Sequence, residues 1–285
     1  MKIIRTVKEM QRYATSQRRQ NRRIAFVPTM GCFHEGHLNL MRTARHHGDC
    51  VVVSLYVNPT QFSPSEDFAA YPRDLERDLT LADGVDVEVL FTPGNAEMYP
   101  EGHLTTVQVE GLTENLCGIS RPHHFRGVTT ICAKLFNVVR PHIAVFGRKD
   151  FQQYVIIKKM IQDLNMNIEI IGMPTTREAD GLAMSSRNTY LKPAERISAL
   201  SLSRGLREAK GMYEAGEREA QQIIAAVEAF INSQPFTRID YCKICSAVTL
   251  QDIPRVEGEA VIALAVWIGK TRLIDNYVFG EDLPL

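Results

Sequence analysis

Two histidines three residues apart, His34 and His37, stand within the stretch 29–37, TMGCFHEGH. That spacing puts both imidazoles on one side of a helix entrance, and Gly31 and Gly36 let the backbone approach a ligand closely. The stretch follows the apolar run 24–27 and leads into a helical pattern at 38–46. A strand, a glycine turn and a helix start, in that order, present unsatisfied N–H groups and the positive end of a helix dipole, which suits a polyphosphate. The loop Met30, Gly31, Cys32, Phe33, His34, Glu35, Gly36 and His37 is therefore read as phosphate-binding. Zinc is the rival use of these imidazoles, joined by His123, His124 or Cys32. The spacing lacks the i, i+4 pairing of a zincin helix and no acidic third ligand follows, so no fixed protein metal site is expected.

Three other segments carry suitable polar groups. In 147–153, GRKDFQQ, Lys149 offers a compact cation to phosphate, Asp150 can accept from ribose hydroxyls, and Gln152 or Gln153 offers an amide to a polar substrate. The plain alternative is a helix N-terminus capped by Asp150. In 184–188, MSSRN, the hydroxyls of Ser185 and Ser186 flank the guanidinium of Arg187, a set that can embrace β and γ phosphates. Alone it reads equally well as a capping turn ahead of Pro193. In 58–62, NPTQF, Gln61 fits recognition of a hydroxyl or carboxylate, whereas Asn58 also fits a turn before Pro59. Neither the phosphate loop GxxxxGKS/T nor the dinucleotide fingerprint GxGxxG occurs, which counts against a P-loop kinase and a dehydrogenase.

Elements must bring these segments together. The runs 24–27, 51–57, 87–91, 143–146 and 168–171 are nearly continuous in Val, Ile, Leu and Phe, as expected for parallel strands covered on both faces. Helical patterns alternate with them at 38–46, 72–82, 127–139 and 151–164. This predicts an α/β fold with a doubly wound, Rossmann-like parallel sheet over 1–175. Such sheets bind ligands at the carboxyl ends of their strands, so 28–37, 58–62 and 147–153 should share one edge. A second, smaller α+β domain is expected over 176–285, with helices at 193–213 and 217–233 and strands near 240–248, 260–267 and 273–278. A polar segment at about 176–190 is read as the hinge, its phosphate-binding loop closing over the site. Ile4, Val7, Met10 and Tyr13 recur at helical spacing, which makes the basic run 18–23 a solvated helix face rather than a transit peptide.

Composition narrows the partners. Lys and Arg (33) balance Asp and Glu (33), so no net field favours nucleic acid and a small-molecule partner is expected. Six cysteines lack the density of a disulfide scaffold. Cys242 and Cys245 have redox or zinc spacing, but 239–244 alternates like a strand and no second ligand pair follows, so a structural role is expected. There is no secretory apolar region, and the run 260–268 is too short to span a bilayer. A soluble, cytoplasmic protein without a membrane partner is expected.

In order along the chain, VPTMG at 27–31, HEGH at 34–37, VNPTQF at 57–62, YPR at 71–73, RPHHFRG at 121–127, KDFQQ at 149–153, DGLAMSSRN at 180–188 and RLIDN at 272–276 resemble the pantoate–β-alanine ligase family. That family is related to nucleotidyltransferases whose His-x-Gly-His motif also occurs in class I aminoacyl-tRNA synthetases. The resemblance implies ligation of (R)-pantoate to β-alanine through a pantoyl adenylate, with ATP cleaved to AMP and pyrophosphate. It further implies Mg²⁺ carried by ATP, a homodimer, and a place in coenzyme A biosynthesis. It places His34 and His37 on the phosphates, His37 as proton donor, and Lys149 and Arg187 as further catalytic groups. Gln61 and Gln153 would hold pantoate, with Gln61 also bordering β-alanine and Asn58 beside it. Gly147, Arg148, Lys149, Asp150, Thr176, Met184, Ser185, Ser186 and Arg187 would complete the ATP pocket. Arg148, Cys32 and Thr60 depart from the residues usual in the family; Arg148 adds charge near the nucleotide, and Cys32 would make the loop oxidisable. The rival readings are a nucleotidyltransferase that leaves the nucleotide on its product, and a nucleotide-binding regulatory protein without turnover.

Overall fold

Apolar runs and helical patterns alternate through the chain as elements of a computed structural model that describes residues 1–64 and 66–283. The first half contains β1 (Lys2–Ile4), α1 (Val7–Arg19), β2 (Ile24–Thr29), α2 (Glu35–His47), β3 (Cys50–Leu55), α3 (Leu75–Asp83), β4 (Val89–Phe91), α4 (Asn95–Met98) and α5 (Cys117–Ser120). There follow α6 (His124–Val139), β5 (Ile143–Gly147), α7 (Phe151–Asp163), β6 (Glu169–Met173), α8 (Pro193–Glu214) and α9 (Ala220–Asn232). The chain ends in β7 (Thr237–Ser246), β8 (Ala260–Ile268) and β9 (Thr271–Val278). Two compact units result. One comprises Met1–Glu110, Arg121–Arg148 and Ile156–Met173; the other comprises Gly111–Ser120, Lys149–Val155 and the chain from Pro174 onward.

In the first unit six parallel strands run in the order β1-β4-β3-β2-β5-β6. β2, β3 and β5 are almost wholly buried, which is why their sequences are apolar without alternation. Ala25, Val27, Val51, Val53, Ile143 and Val145 pack with Leu38, Met41 and Ala44 of α2 in one core. Ile4 departs from the expected helical spacing: it ends β1, which pairs with β4, and α1 begins only after Thr6, whose side chain accepts the Glu9 N–H. The helix expected over 72–82 likewise starts late, because Asp74 caps α3 by accepting the Arg77 N–H.

The second unit is built on the antiparallel sheet β7-β8-β9. β8 is covered on both faces. Ile262, Leu264, Val266 and Ile268 face Leu202, Leu206, Ile223 and Val227 of α8 and α9. Val261 and Ala263 face Leu116, Phe151 and Val155. Burial of that second face gives 111–120 and 149–155 their place in this unit, where hydrophobic transfer stabilises by about 25 cal/mol per Å² covered. Cys242 and Cys245 lie in opposite cores, as residues three apart on a strand must, so they share no site.

Candidate active site

β3, β2 and β5 are adjacent and parallel, and the loops that begin at Met30, Tyr56 and Arg148 leave from their carboxyl ends. After β2 the chain moves to β3 on one side, and it later returns through β5 on the other. That reversal is a topological switch point, the crevice position where open α/β sheets bind ligands. The expected common edge is present for these three loop origins in the first unit.

The loop after β2 is held from beneath by α3. The buried Asp78 carboxylate accepts the Cys32 N–H at 2.7 Å and the Phe33 N–H at 2.6 Å, and Arg77 donates to the Phe33 carbonyl at 2.9 Å. Burial pushes the Asp78 carboxyl above its ordinary range, against the lowering by those two N–H groups and Arg77. Phe33 is fully buried and its ring lies 5.6 Å from that of His37. The His34 and His37 rings are 4.0 Å apart. His37 Nδ1 accepts the His34 N–H at 3.3 Å, so a neutral His37 carries its proton on Nε2.

These bonds correct the expectation that the loop offers its N–H groups freely. Those of Gly31, Cys32, Phe33 and His34 bond within the protein, leaving the first turn of α2, at Glu35 and Gly36, as the donors that a helix cannot satisfy itself. Gly31 and Cys32 both have positive φ, 86° and 53°. Glycine adopts this region freely, whereas cysteine is strained there. Burial also raises the Cys32 thiol above its ordinary range, which lowers the share of reactive thiolate.

After β3, Asn58 is wholly used by the protein. Its amide donates to Gln61 Oε1 and the Gly127 carbonyl, each at 3.1 Å, and its oxygen accepts from Thr60 and from the Tyr99 hydroxyl at 3.0 Å. Asn58 therefore shapes the loop and orients Gln61 rather than offering an amide of its own. Gln61 donates to the Met30 thioether, a weak acceptor that a ligand oxygen can replace with gain. His124 Nδ1 lies 2.9 Å from the Gln61 carbonyl, so that imidazole serves the same loop. Gly127 makes the packing feasible: a Cβ there would stand 2.7 Å from the Gln61 nitrogen.

In the second unit, Lys149 is half-buried and its carbonyl accepts from Asn276 at 2.8 Å. Gln152 and Gln153 differ in their engagement. Buried Gln152 accepts the Cys117 N–H and donates to the Leu112 and Asn115 carbonyls, so its amide is used within the protein, whereas Gln153 is half-buried. The polar segment after β6 is an ordered hairpin. The Met184 N–H bonds the Thr176 carbonyl at 2.9 Å, residues 177 and 183 pair, and Gly181 takes the turn at φ 92°. Ser185 caps the 3-10 turn Ser186–Tyr190 by accepting the Arg187 N–H, the capping turn that the sequence also allows. Arg177 and Asp275 form an ion pair at 2.6 Å with both side chains 1% exposed. Sequence reasoning overlooked the supports Asp78, Gly127 and Asn276. Only RPHHFRG and RLIDN hinted at the last two, and Asp78 had no local signal.

Among the described residues no group of three or more His, Cys, Asp or Glu side chains is placed to hold a metal ion, and no helix is long and apolar enough to cross a membrane. A family model described as Pantoate-beta-alanine ligase matches residues 2–278. Over the full length of both chains, the sequence is 62% identical to the pantothenate synthetase of Syntrophus aciditrophicus. It is 55% identical to that of Moorella thermoacetica over 98% of each chain. The crystal structure of the pantothenate synthetase of Thermus thermophilus superposes with a TM-score of 0.93 at 42% identity, covering 97% of this chain and 99% of that one. The pantoate-beta-alanine ligase of Francisella tularensis, complexed with beta-gamma ATP and beta-alanine, superposes with a TM-score of 0.83 at 32% identity over both whole chains.

Proposed function

The chain belongs to the pantoate-beta-alanine ligase family, and from that premise we propose that it joins (R)-pantoate to β-alanine in two steps at the expense of ATP. It is a ligase of that family. A pantoate carboxylate oxygen attacks the α-phosphorus, the bond from that phosphorus to the α,β-bridging oxygen breaks, and pyrophosphate leaves behind pantoyl adenylate. The β-alanine amine then attacks the acyl carbon, AMP leaves with the bonding electron pair, and the amine gives up a proton. A bare carboxylate is a poor acyl donor, and the mixed anhydride makes AMP a competent leaving group.

The observation that carries this reading is the His34–His37 pair at the start of α2, with the rings 4.0 Å apart and His37 Nδ1 accepting the His34 N–H. Phosphoryl transfer asks for placement and charge rather than covalent help from side chains. His34, His37, Lys149, Ser185, Ser186 and Arg187 are assigned to the phosphates, with His37 donating to the departing pyrophosphate. Glu35, Gly36, Gly147, Arg148, Asp150, Thr176 and Met184 are assigned to the rest of ATP, and Gln61 and Gln153 to pantoate. Asn58, and the internally bonded stretch of the loop at Gly31, Cys32 and Phe33, hold these groups in place. The phosphate-facing set is made of imidazoles, an ammonium, hydroxyls and a guanidinium. It suits anionic oxygens rather than a divalent cation, which fits Mg²⁺ held by ATP's own phosphates; the ion would neutralise charge there.

We assign most of the ATP site and the pantoate site to 1–175, and to 176–285 the loop at about 176–190 that adds Thr176 and 184–187 to the ATP site and shields the adenylate from water. A cytoplasmic homodimer is the assembly proposed, as the family likeness implies. Sedimentation should give about twice the chain mass of 32.2 kDa, and a single-chain mass would count against it. Product analysis with pantoate, β-alanine and ATP tests the reaction. One AMP and one pyrophosphate per amide formed are expected; ADP and phosphate, or a nucleotide retained on the product, would refute it.

A further inference from the structure

We infer that Asn276 is a positioning residue for Lys149 and that, with its neighbour Asp275, it makes β9 the brace between two ATP-handling segments; this rests on the function proposed above. Successive residues of a strand point to opposite faces. Asp275 lies opposite Leu264, in the core shared with Leu182 of the hairpin, and Asn276 opposite Ala263, in the core shared with Phe151.

On the first face, Asp275 receives both arms of the Arg177 guanidinium, at 2.6 and 3.0 Å, and Arg177 also donates to the Gly181 carbonyl at 3.2 Å. One buried cation thus fixes the hairpin that has Thr176 at one end and Met184 at the other. On the second face, Asn276 Nδ2 donates 2.8 Å to the carbonyl of Lys149 itself. The Asn276 N–H closes the set by donating to Asp275 Oδ1 at 2.9 Å. A single peptide step of a sheet strand therefore sets the placement of the Lys149 backbone relative to the hairpin. Asp275 and Asn276 are only 2% and 7% exposed. Well-packed apolar side chains would serve stability as well as such buried polar groups, so their use argues for geometry.

The test is a double-mutant cycle on the pantoate-dependent exchange of pyrophosphate into ATP. Asn276→Leu removes the amide donor at similar volume. It should lower kcat by about ten- to a hundredfold while leaving the KM for ATP and the unfolding midpoint nearly unchanged, because a small misplacement of a charge is felt in the transition state. In a Lys149→Ala background the same substitution should change kcat less than about twofold, since the group it positions is gone. If Asn276→Leu does not fold, the isosteric Asn276→Asp, which turns an acceptor toward the Lys149 carbonyl, carries the same expectation. Full kcat in the single variant, or an equal fall in both backgrounds, would overturn the inference while the unsubstituted chain still exchanges. An unsubstituted chain without exchange would remove the premise and the inference with it.

Discussion

His37 combines two roles that one substitution separates from folding. Its Nδ1 accepts a backbone N–H inside the protein, and its Nε2 is the donor assigned to the departing pyrophosphate. Loss of one well-placed transition-state donor costs roughly 3–4 kcal/mol. His37→Ala should therefore keep the fold, by circular dichroism and unfolding midpoint, and lose about two or more orders of magnitude in kcat. Cys32 makes the opposite kind of prediction. Its φ of 53° is a conformation that asparagine tolerates better, so Cys32→Asn should raise unfolding free energy by about 0.5–1 kcal/mol in denaturant titration. A loss of stability would contradict the strain. The types and spacing of His34, His37 and Gln61 were legible along the chain. The full engagement of Asn58 and Gln152 was not, because their partners at Gly127, Tyr99, Leu112 and Asn115 lie far away in sequence.

Elements decide how rigidly those side chains are held. α6 packs against the 59–61 turn only because residue 127 lacks a Cβ, which would collide with backbone rather than a yielding side chain. Gly127→Ala should push the Gln61 turn aside and raise the KM for pantoate by about tenfold or more, with a smaller change in that for ATP. Steady-state kinetics with each substrate varied checks this. In the hairpin, burial pushes the Asp180 carboxyl up, but the Leu182 N–H and Arg196 outweigh it, so it titrates below the ordinary range. A depressed folded-state value contributes stability that is present above the unfolded carboxylate range and lost as pH falls through the folded value. Asp180→Asn should thus lower stability at neutral pH and make little difference near pH ~2. An unchanged gap between variant and parent across that range would contradict the pairing. The strands of the large sheet were legible as apolar runs because both of their faces are buried. β1 was not, since three residues give no period and Ile4 also fits the spacing of α1. Nor could periodicity show that 111–120 and 149–155 cover the second face of β8, a contact made across more than a hundred residues.

At the scale of the whole molecule, the balanced charge of 33 against 33 and the ordered series of motifs point to a small-molecule ligase. If ATP binds the folded chain alone, saturating it at about a hundred times its Kd should add about 2.7 kcal/mol to unfolding free energy. The central claim is that pantoate alone, without β-alanine, suffices to cleave ATP reversibly into pyrophosphate and a bound adenylate. The most direct measurement incubates the protein with ATP, Mg²⁺, pantoate and labelled pyrophosphate, leaving β-alanine out. The account predicts label entering ATP only when pantoate is present. Label that stays in pyrophosphate until β-alanine is added would contradict a free-standing adenylate step.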